Sequence, residues 1–272
     1  MPFLLPWLLT AVLYIPVFIQ LYSFRWQMVD YTHAYFILPV SIWLVWRKRK
    51  LLPPSPSISP LITLLSLFLL ILGLAVFLLG WRLDYLFIST FSMIPVCFGL
   101  MLFLYGRRAS RELLFPILYL LLLIPPPLGI LDSITLPMRY GVTLAADIIL
   151  KLFDIPVIRD GLLLSLRGNE IYMGAPCSGF RSLVTMLALG LVYAYLLPLN
   201  KKNKFILVIS IIPLALFGNL IRIVATCLAV YFWGPTMEDG PVHFMAGIVI
   251  FLLMMALFLQ IEKKLEENEP EI

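Results

Sequence analysis

The sequence is poor in charged residues. Only 13% of its 272 residues are charged while 62% are hydrophobic, and the mean hydropathy is +1.01. A soluble domain is about half apolar and about a quarter charged. This composition excludes a soluble globular enzyme, a disordered chain and a nucleic-acid binder built on a basic surface.

Cysteine and histidine are also scarce. The chain has three cysteines, Cys97, Cys177 and Cys227, and two histidines, His33 and His243, with neither a CxxC nor an HExxH pattern. An odd, widely spaced set of cysteines predicts no disulfide framework, and two histidines give too few ligands for a zinc or haem site. We therefore expect no metal and no cofactor.

Long apolar runs, by contrast, are abundant. They cover residues 3–24, 34–46, 61–80, 86–105, 113–131, 177–197, 205–232 and 242–261. Since a spanning helix needs about 20 apolar residues, the runs predict an all-α polytopic membrane protein with about eight transmembrane helices. No basic segment precedes the first run, which predicts an uncleaved span. The second run is short, so a re-entrant segment is the alternative to a full crossing there.

Basic residues cluster between the runs and predict the orientation. Four clusters hold twelve of the twenty bases: Arg47–Lys50, Arg107 to Arg111, Lys201–Lys204, and Lys263 with Lys264. The positive-inside rule places all four in the cytoplasm when both termini are cytoplasmic. The sequence therefore predicts a multi-pass protein whose largest external element is 132–176.

That external element has two predicted parts. Residues 132–153 alternate apolar positions with Arg139, Thr143, Asp147 and Lys151 at helical spacing, which predicts an amphipathic helix lying on the outer membrane surface. Residues 162–173, around the turn-like Arg167-Gly168-Asn169, predict a small hairpin before span six.

Ionisable groups inside a membrane are costly, so each is a functional candidate. The predicted spans contain or border on His33, Arg181, Asn219, Arg222 and His243. The predicted topology brings Cys177, Arg222, His243 and His33 to one depth in the outer leaflet. Three catalytic residue types at one depth favour a site over three unrelated structural residues.

Cys177 has a specific setting in Gly174-Ala175-Pro176-Cys177-Ser178-Gly179. Proline suits the first position of a helix, so we expect Cys177 in the first turn of span six, where the helix N-terminus favours a thiolate. Arg181 follows four residues later, on the same helical face. A thiolate, a cation and a histidine that moves protons form a cysteine protease or acyltransferase constellation.

Simpler interpretations exist for each residue. A free cysteine is usually a small buried hydrophobe, which is what we expect for Cys97 and Cys227. Arg222 can also pair with backbone or lipid phosphate, and His243 can be an interfacial or capping residue. His33 fits a structural or substrate-contacting role better than a catalytic one.

The same residues carry a family resemblance. Residues 175–182 resemble the Cys-Ser-Gly-x-Arg-Ser motif of the exosortase/archaeosortase family, residues 219–222 its Asn-x-x-Arg motif, and residues 243–247 its histidine motif. Residues 30–35 resemble its Tyr-Ser-His-Gly segment, with Thr32 and Ala34 in place of serine and glycine. The resemblance extends over about residues 30–260.

The resemblance implies a membrane cysteine transpeptidase that processes C-terminal sorting signals of the PEP-CTERM kind on exported proteins. It implies Cys177, Arg222 and His243 as the catalytic triad, with Arg181, Ser178, Asn219 and His33 as supporting or substrate-binding residues. The expected partners are a transmembrane sorting signal, membrane lipids and a glycan or lipid acceptor, with no nucleic acid. The expected location is the inner membrane of a prokaryote, with the active site facing the periplasm or outside.

The domain expected from this resemblance is a single one, residues 1–272, with the catalytic part at about 113–261 and a cytoplasmic acidic tail at 262–272. Two rival functions remain at this point. A transporter or flippase for a lipid-linked glycan would use Arg222 and Arg181 to hold phosphate. A non-enzymatic assembly protein would need Cys177 only for packing.

Overall fold

Helices form nearly all of the described chain, which in this computed structural model comprises residues 4–28, 31, 33–51, 59–237 and 241–268; the side chains of Leu51, Leu128 and residues 241–243 lie outside it. Contacts divide the protein into two compact units, residues 1–127 and 128–272.

The described residues of the first unit form helices joined by turns, without a strand. Its elements are α1 (Leu4–Gln20, continued by a π-helical turn Leu21–Arg25), α2 (Ala34–Arg47, followed by a 3-10 turn Arg49–Leu51), α3 (Pro60–Arg82), α4 (Leu86–Phe91), α5 (Met93–Glu112) and α6 (Leu114–Tyr119, continued by a 3-10 turn Leu120–Leu123).

The second unit adds a small sheet to its helices. Its elements are α7 (Leu128–Leu152), β1 (Ile158–Asp160), β2 (Leu163–Leu166), β3 (Asn169–Tyr172), a 3-10 turn Ala175–Ser178, α8 (Phe180–Leu196), α9 (Lys201–Trp233), a 3-10 turn Pro235–Met237, and α10 (Pro241–Glu267).

The multi-pass prediction is confirmed in its coarse form. Among the described residues, five helices are long and apolar enough to cross a membrane: Leu4–Arg25, Pro60–Arg82, Leu86–Glu112, Lys201–Trp233 and Phe244–Glu267. Predicted spans two, five and six coincide with the shorter apolar helices Ala34–Arg47, Leu114–Leu123 and Phe180–Leu196. The count of eight spans stays a prediction.

Two boundaries differ from the sequence prediction. The helical part of the run 113–131 ends at Leu123, before Pro125-Pro126-Pro127, where the three prolines predict its end, but α7 begins at Leu128 rather than at residue 132. Proline cannot continue a helix, because it lacks the backbone N–H. At the other end, α10 continues through Glu267 into the predicted acidic tail, where Lys263 and Glu267 pair one turn apart at 3.9 Å.

Small residues let the helices of the first unit approach closely. A Cβ at Gly73 of α3 would lie 2.6 Å from the side chain of Val96 in α5, and one at Gly80 would lie 2.4 Å from the backbone of Ser89 in α4. Such positions replace the hydrophobic driving force that helices lack in lipid with tight van der Waals packing. These contacts hold α3 against α4 and α5.

The sheet of the second unit confirms the predicted hairpin and extends it. β2 and β3 pair antiparallel with Leu166 opposite Asn169, and β1 adds a third antiparallel strand on the far edge of β2. Arg167 and Gly168 both have positive φ, as a two-residue hairpin turn requires. The inward side chains of the sheet pack with α7 and α9 around a buried cluster: Ala146, Leu150, Leu164, Leu166, Ile171, Met173, Ile223 and Cys227.

The predicted amphipathic helix is present as α7, and part of its polar side is buried against the rest of the second unit. Its polar positions Thr143 and Asp147 are 0% and 6% exposed, whereas Leu152 is 76% exposed. The side of α7 that carries Thr143 and Asp147 therefore faces protein rather than water, while the location of this helix on the outer membrane surface stays a prediction. The reason is tertiary: α7 packs its polar side onto the sheet and the turn that carries Cys177.

Ion pairs offset the cost of burying the Asp147 carboxylate. Asp147 accepts from Lys151 Nζ at 2.9 Å within the helix, and Arg159 Nε of β1 lies 3.9 Å from the same carboxylate. A buried carboxylate needs such partners because its desolvation costs several kcal/mol. The pair with Arg159 ties β1 to α7.

Candidate active site

Cys177 lies in a tight turn between the sheet and α8. The turn is the 3-10 segment Ala175–Ser178, with Pro176 near its start and Gly179 directly after it. The Ser178 hydroxyl accepts a hydrogen bond from the backbone N–H of Phe180 at 3.2 Å. We call residues 174–179 the cysteine turn; it fixes where the thiol emerges relative to α8.

Gly179 gives the turn its shape. Its φ of +78° lies in the left-handed region, and a Cβ at this position would come within 2.9 Å of the Asn219 side chain. Both observations require glycine, since other L-residues pay about 1–2 kcal/mol in that region.

This geometry corrects one prediction. We expected Cys177 in the first turn of the span-six helix with Arg181 on the same face, but α8 begins only at Phe180. The left-handed Gly179 interrupts the helix between them, so the i, i+4 relation does not hold. Arg181 is instead the second residue of α8, and it is partly exposed.

Asn219 and Arg222 of α9 clamp the cysteine turn. The Asn219 amide donates to the carbonyl of Cys177 at 2.8 Å, and Arg222 Nη2 donates to the carbonyl of Pro176 at 2.8 Å. Arg222 Nη2 also donates to Asn219 Oδ1 at 3.0 Å. Two consecutive peptide carbonyls of the turn are therefore held by two side chains one helical turn apart.

The Arg222 guanidinium is buried, but not all of its N–H groups have hydrogen-bond partners among the described residues. Arg222 is 8% exposed, and its Nε has no hydrogen-bond partner among the described residues. The positive charge of Arg222 attracts a negatively charged Cys177 thiolate and is repelled by the positive charge of Arg181. A buried donor without a partner is costly, so this nitrogen is suited to a group that arrives with the substrate.

A narrow cleft opens beside Arg222. It has a volume of about 20 Å³ and is lined by Ser182, Gly218, Asn219, Arg222 and Gly247 together with apolar residues of α8, α9 and α10. This is room for about one water molecule. The Cys177 side chain packs elsewhere, at the edge of the apolar cluster between the sheet, α7 and α9.

His243 belongs to the backbone of α10, in its first turn, but its side chain lies outside the described part of the structure. Gly247 follows one turn later, and a Cβ there would lie 3.8 Å from Arg222 Cδ. Residues four apart share a helical face. Position 243 is therefore on the side of α10 that meets Arg222.

His33 belongs to the first unit. It is 5% exposed, and its Nε2 lies 3.2 Å from the carbonyl oxygen of Leu122. The ring also lies 6.1 Å from that of Tyr31. These contacts join α2 to the turn after α6; Asp30 and Thr32 of the same predicted motif lie outside the described residues.

Sequence reasoning found the residues of the clamp but missed how they meet. It identified Asn219 and Arg222 as candidates within a predicted span, yet it did not predict that their partners are the carbonyls of Pro176 and Cys177. It also missed that α7 packs against the cysteine turn. The glycine in the Cys-Ser-Gly motif was the available signal for the left-handed residue.

The arrangement can activate and orient a thiol. The Arg222 charge favours a thiolate at Cys177, and the clamped turn holds that nucleophile in one position. Within the described residues, no three His, Cys, Asp or Glu side chains come together as a metal site.

Comparison with known proteins gives one family. No curated protein and no solved structure matches the chain. The sequence model described as transmembrane exosortase (Exosortase_EpsH) matches residues 26–260, a range that includes the cysteine turn, the clamp residues of α9 and the start of α10. With most of its length matched, this chain belongs to the transmembrane exosortase family.

Proposed function

We propose that this exosortase is a cysteine peptidase and transpeptidase that cleaves the C-terminal sorting signal of exported proteins at the outer face of the membrane. The observation that carries the proposal is the clamp: Arg222 and Asn219 bind the backbone on both sides of Cys177. Family membership makes the chain a membrane sorting enzyme, and the clamp supports Cys177 as its nucleophile.

The proposed reaction has two halves. The Cys177 thiolate attacks the carbonyl carbon of the scissile peptide bond, a C–S bond forms, and the carbonyl oxygen becomes an oxyanion. The C–N bond then breaks as the departing amine takes a proton from His243, which leaves a thioester. In the second half, an amine, a hydroxyl group or water attacks the thioester, gives its proton to His243 and releases the Cys177 thiolate, which restores the starting state.

Arg222 has two tasks in this scheme. Its Nη2 holds the cysteine turn, while its Nε is left to stabilise either the thiolate or the developing oxyanion. A preorganised donor of this kind contributes about 10²–10³ in rate. The planar guanidinium does both at once, which a lysine ammonium cannot do.

The predicted topology determines which peptide bonds can reach Cys177. Cys177 follows the predicted external element, so a peptide bond just outside a substrate's transmembrane helix would reach it. The sorting signal expected from the family resemblance has a short motif, such a helix and a basic cluster. A glycan or lipid that carries an amine or a hydroxyl group is the proposed acceptor.

The decisive experiment traps the thioester. We expect cells that express a reporter with a motif–helix–basic tail to process it with the wild-type enzyme and not with C177S. The matched control is C227S, because Cys227 is buried in the apolar cluster of the same unit. A hydroxylamine-sensitive adduct on Cys177, seen by mass spectrometry, is expected in the wild type. Processing by C177S at the wild-type rate, with equal membrane abundance, would contradict the proposal.

A further inference from the structure

The first unit contains a large groove that the proposed reaction does not use. It has a volume of about 620 Å³ and runs between α1, α2, α5 and α6. Its walls are aliphatic and aromatic side chains, such as Trp7, Phe18, Leu38, Met93 and Ile117. Ligand sites of drug-like size have volumes of about 300–1,000 Å³, so the groove is large enough for a ligand.

Three hydroxyl groups in its walls already have hydrogen-bond partners. The Thr10 hydroxyl donates to the carbonyl of Pro6 at 2.9 Å, and the Ser41 hydroxyl donates to the carbonyl of Pro116 at 2.8 Å. The Tyr14 hydroxyl lies 2.7 Å from Ser92 Oγ, in hydrogen-bond contact. The groove therefore favours an apolar ligand, because a polar ligand would give up its hydrogen bonds to water without finding new partners in these walls.

The groove has the length of one leaflet. Along α1 it extends from Trp7 to Phe18, which is roughly 16 Å at the helical rise. The hydrocarbon core of a bilayer is about 30 Å thick, so half of it is about 15 Å. An acyl chain of one leaflet matches this length, whereas a transmembrane helix needs twice as much.

A cation stands at one end of the groove. Arg49 lines it, and its guanidinium lies 4.0 Å from the Trp46 ring centroid. The neighbouring Lys48 is paired with Glu112 at 2.9 Å, but Arg49 has no carboxylate partner among the described residues. Both belong to the basic cluster that the positive-inside rule places in the cytoplasm.

We propose that this groove binds an anionic phospholipid of the cytoplasmic leaflet, with an acyl chain between the helices and the phosphate at Arg49. Basic pockets between transmembrane helices on the cytoplasmic side are suited to such headgroups. A substrate helix is the rival occupant, but the basic cluster at the end of a sorting signal would be repelled by Arg49.

The test uses the purified full-length protein and two photoactivatable lipids, phosphatidylglycerol and phosphatidylcholine, each with a diazirine in its acyl chain. We expect crosslinks on groove residues such as Met93 and Met101. Phosphatidylglycerol should give about fivefold more crosslinked protein than phosphatidylcholine, because one basic residue near the membrane surface raises the affinity for an anionic lipid by about that factor. R49Q should remove the preference, and R49K should keep it. R107Q is the matched control, because Arg107 is exposed, lies outside the groove and belongs to another predicted cytoplasmic cluster.

Three results would overturn the proposal. One is equal crosslinking by both lipids in the wild type. Another is a preference that R49Q keeps, with the elution volume showing that the variant is folded. The third is displacement of the lipid by a synthetic sorting-signal helix, which would make the groove a substrate site.

Discussion

Arg222 has a structural role in the cysteine turn and a proposed catalytic role at the same time. Its Nη2 supports the backbone of the cysteine turn and its Nε faces no partner in the described structure. An arginine with only a structural role would donate hydrogen bonds from all its N–H groups to the protein. A purely catalytic one would leave the turn to other residues.

Replacing Arg222 with lysine tests this double role. We expect R222K to insert and fold but to lose processing by about 10²-fold, because the ammonium keeps the charge without the fork geometry. R222L should reach equal or higher membrane abundance, since it removes a desolvated charge, and yet be inactive. The measurement is substrate cleavage per amount of membrane protein, with R82K at the exposed end of α3 as control. Near wild-type processing by R222K would remove Arg222 from the catalytic set.

Gly179 is the residue on which the shape of the turn depends. We expect G179A to abolish processing and to destabilise the protein by about 1–3 kcal/mol, because its φ is positive and the new Cβ would meet Asn219 at 2.9 Å. The control is G174A in the same turn, where the nearest atom to a new Cβ lies 3.6 Å away. Thermal unfolding in detergent together with the cleavage assay measures both effects. Equal activity of the two variants would mean that the turn tolerates a change of shape.

The three cysteines differ in their surroundings and should differ in reactivity. Cys177 is partly exposed in the turn that the Arg222 guanidinium contacts, while Cys227 is 0% exposed. We expect iodoacetamide to alkylate Cys177 fastest at neutral pH, as a thiolate near a cation would require. Peptide mass spectrometry at several times and pH values gives the three rates. Equal, slow labelling of all three would argue against a catalytic thiolate.

At the scale of elements, α7 turns its polar side to the interior of the second unit, where it joins the sheet to the cysteine turn. The Asp147 carboxylate is the charged centre of that side, since Lys151 and Arg159 both approach it. The clamp of α9 holds the turn from one side. α7 packs against the turn as well, so the position of the thiol depends on both helices.

Asp147 gives a direct test of this role. We expect D147N to lower the unfolding temperature by an amount equivalent to about 1–3 kcal/mol, because two cations lose a buried partner. D132N is the control, since Asp132 lies on the exposed side of the same helix. If both variants unfold at the same temperature, the buried ion pairs contribute nothing to stability.

For the whole molecule, the orientation in the membrane is the prediction with the widest consequences. We expect single cysteines at positions 48 and 202 to be protected from an impermeant thiol reagent on intact cells. A cysteine at position 160, in the sheet, should react with it. The physical reason is the excess of bases in the connections at 47–50 and 201–204. Labelling of position 48 or 202 from outside would reject both the topology and an external Cys177.

The sequence by itself determined the class of molecule and the location of most helices. Hydropathy and proline positions act locally, so α3, α9 and α10 were visible in the apolar runs. The hairpin turn at Arg167-Gly168 was visible for the same reason. The candidate residues followed from their rarity in apolar segments and from the motif resemblance, which the family match supports.

Only the tertiary structure decided how the site is built. The clamp joins atoms 42 and 46 residues apart in the chain, and no local pattern specifies which carbonyl an arginine will bind. The same holds for the polar side of α7 and for the groove between α1, α2, α5 and α6. Helical periodicity shows that a helix has two faces, but the neighbours that pack against it decide which of them is buried.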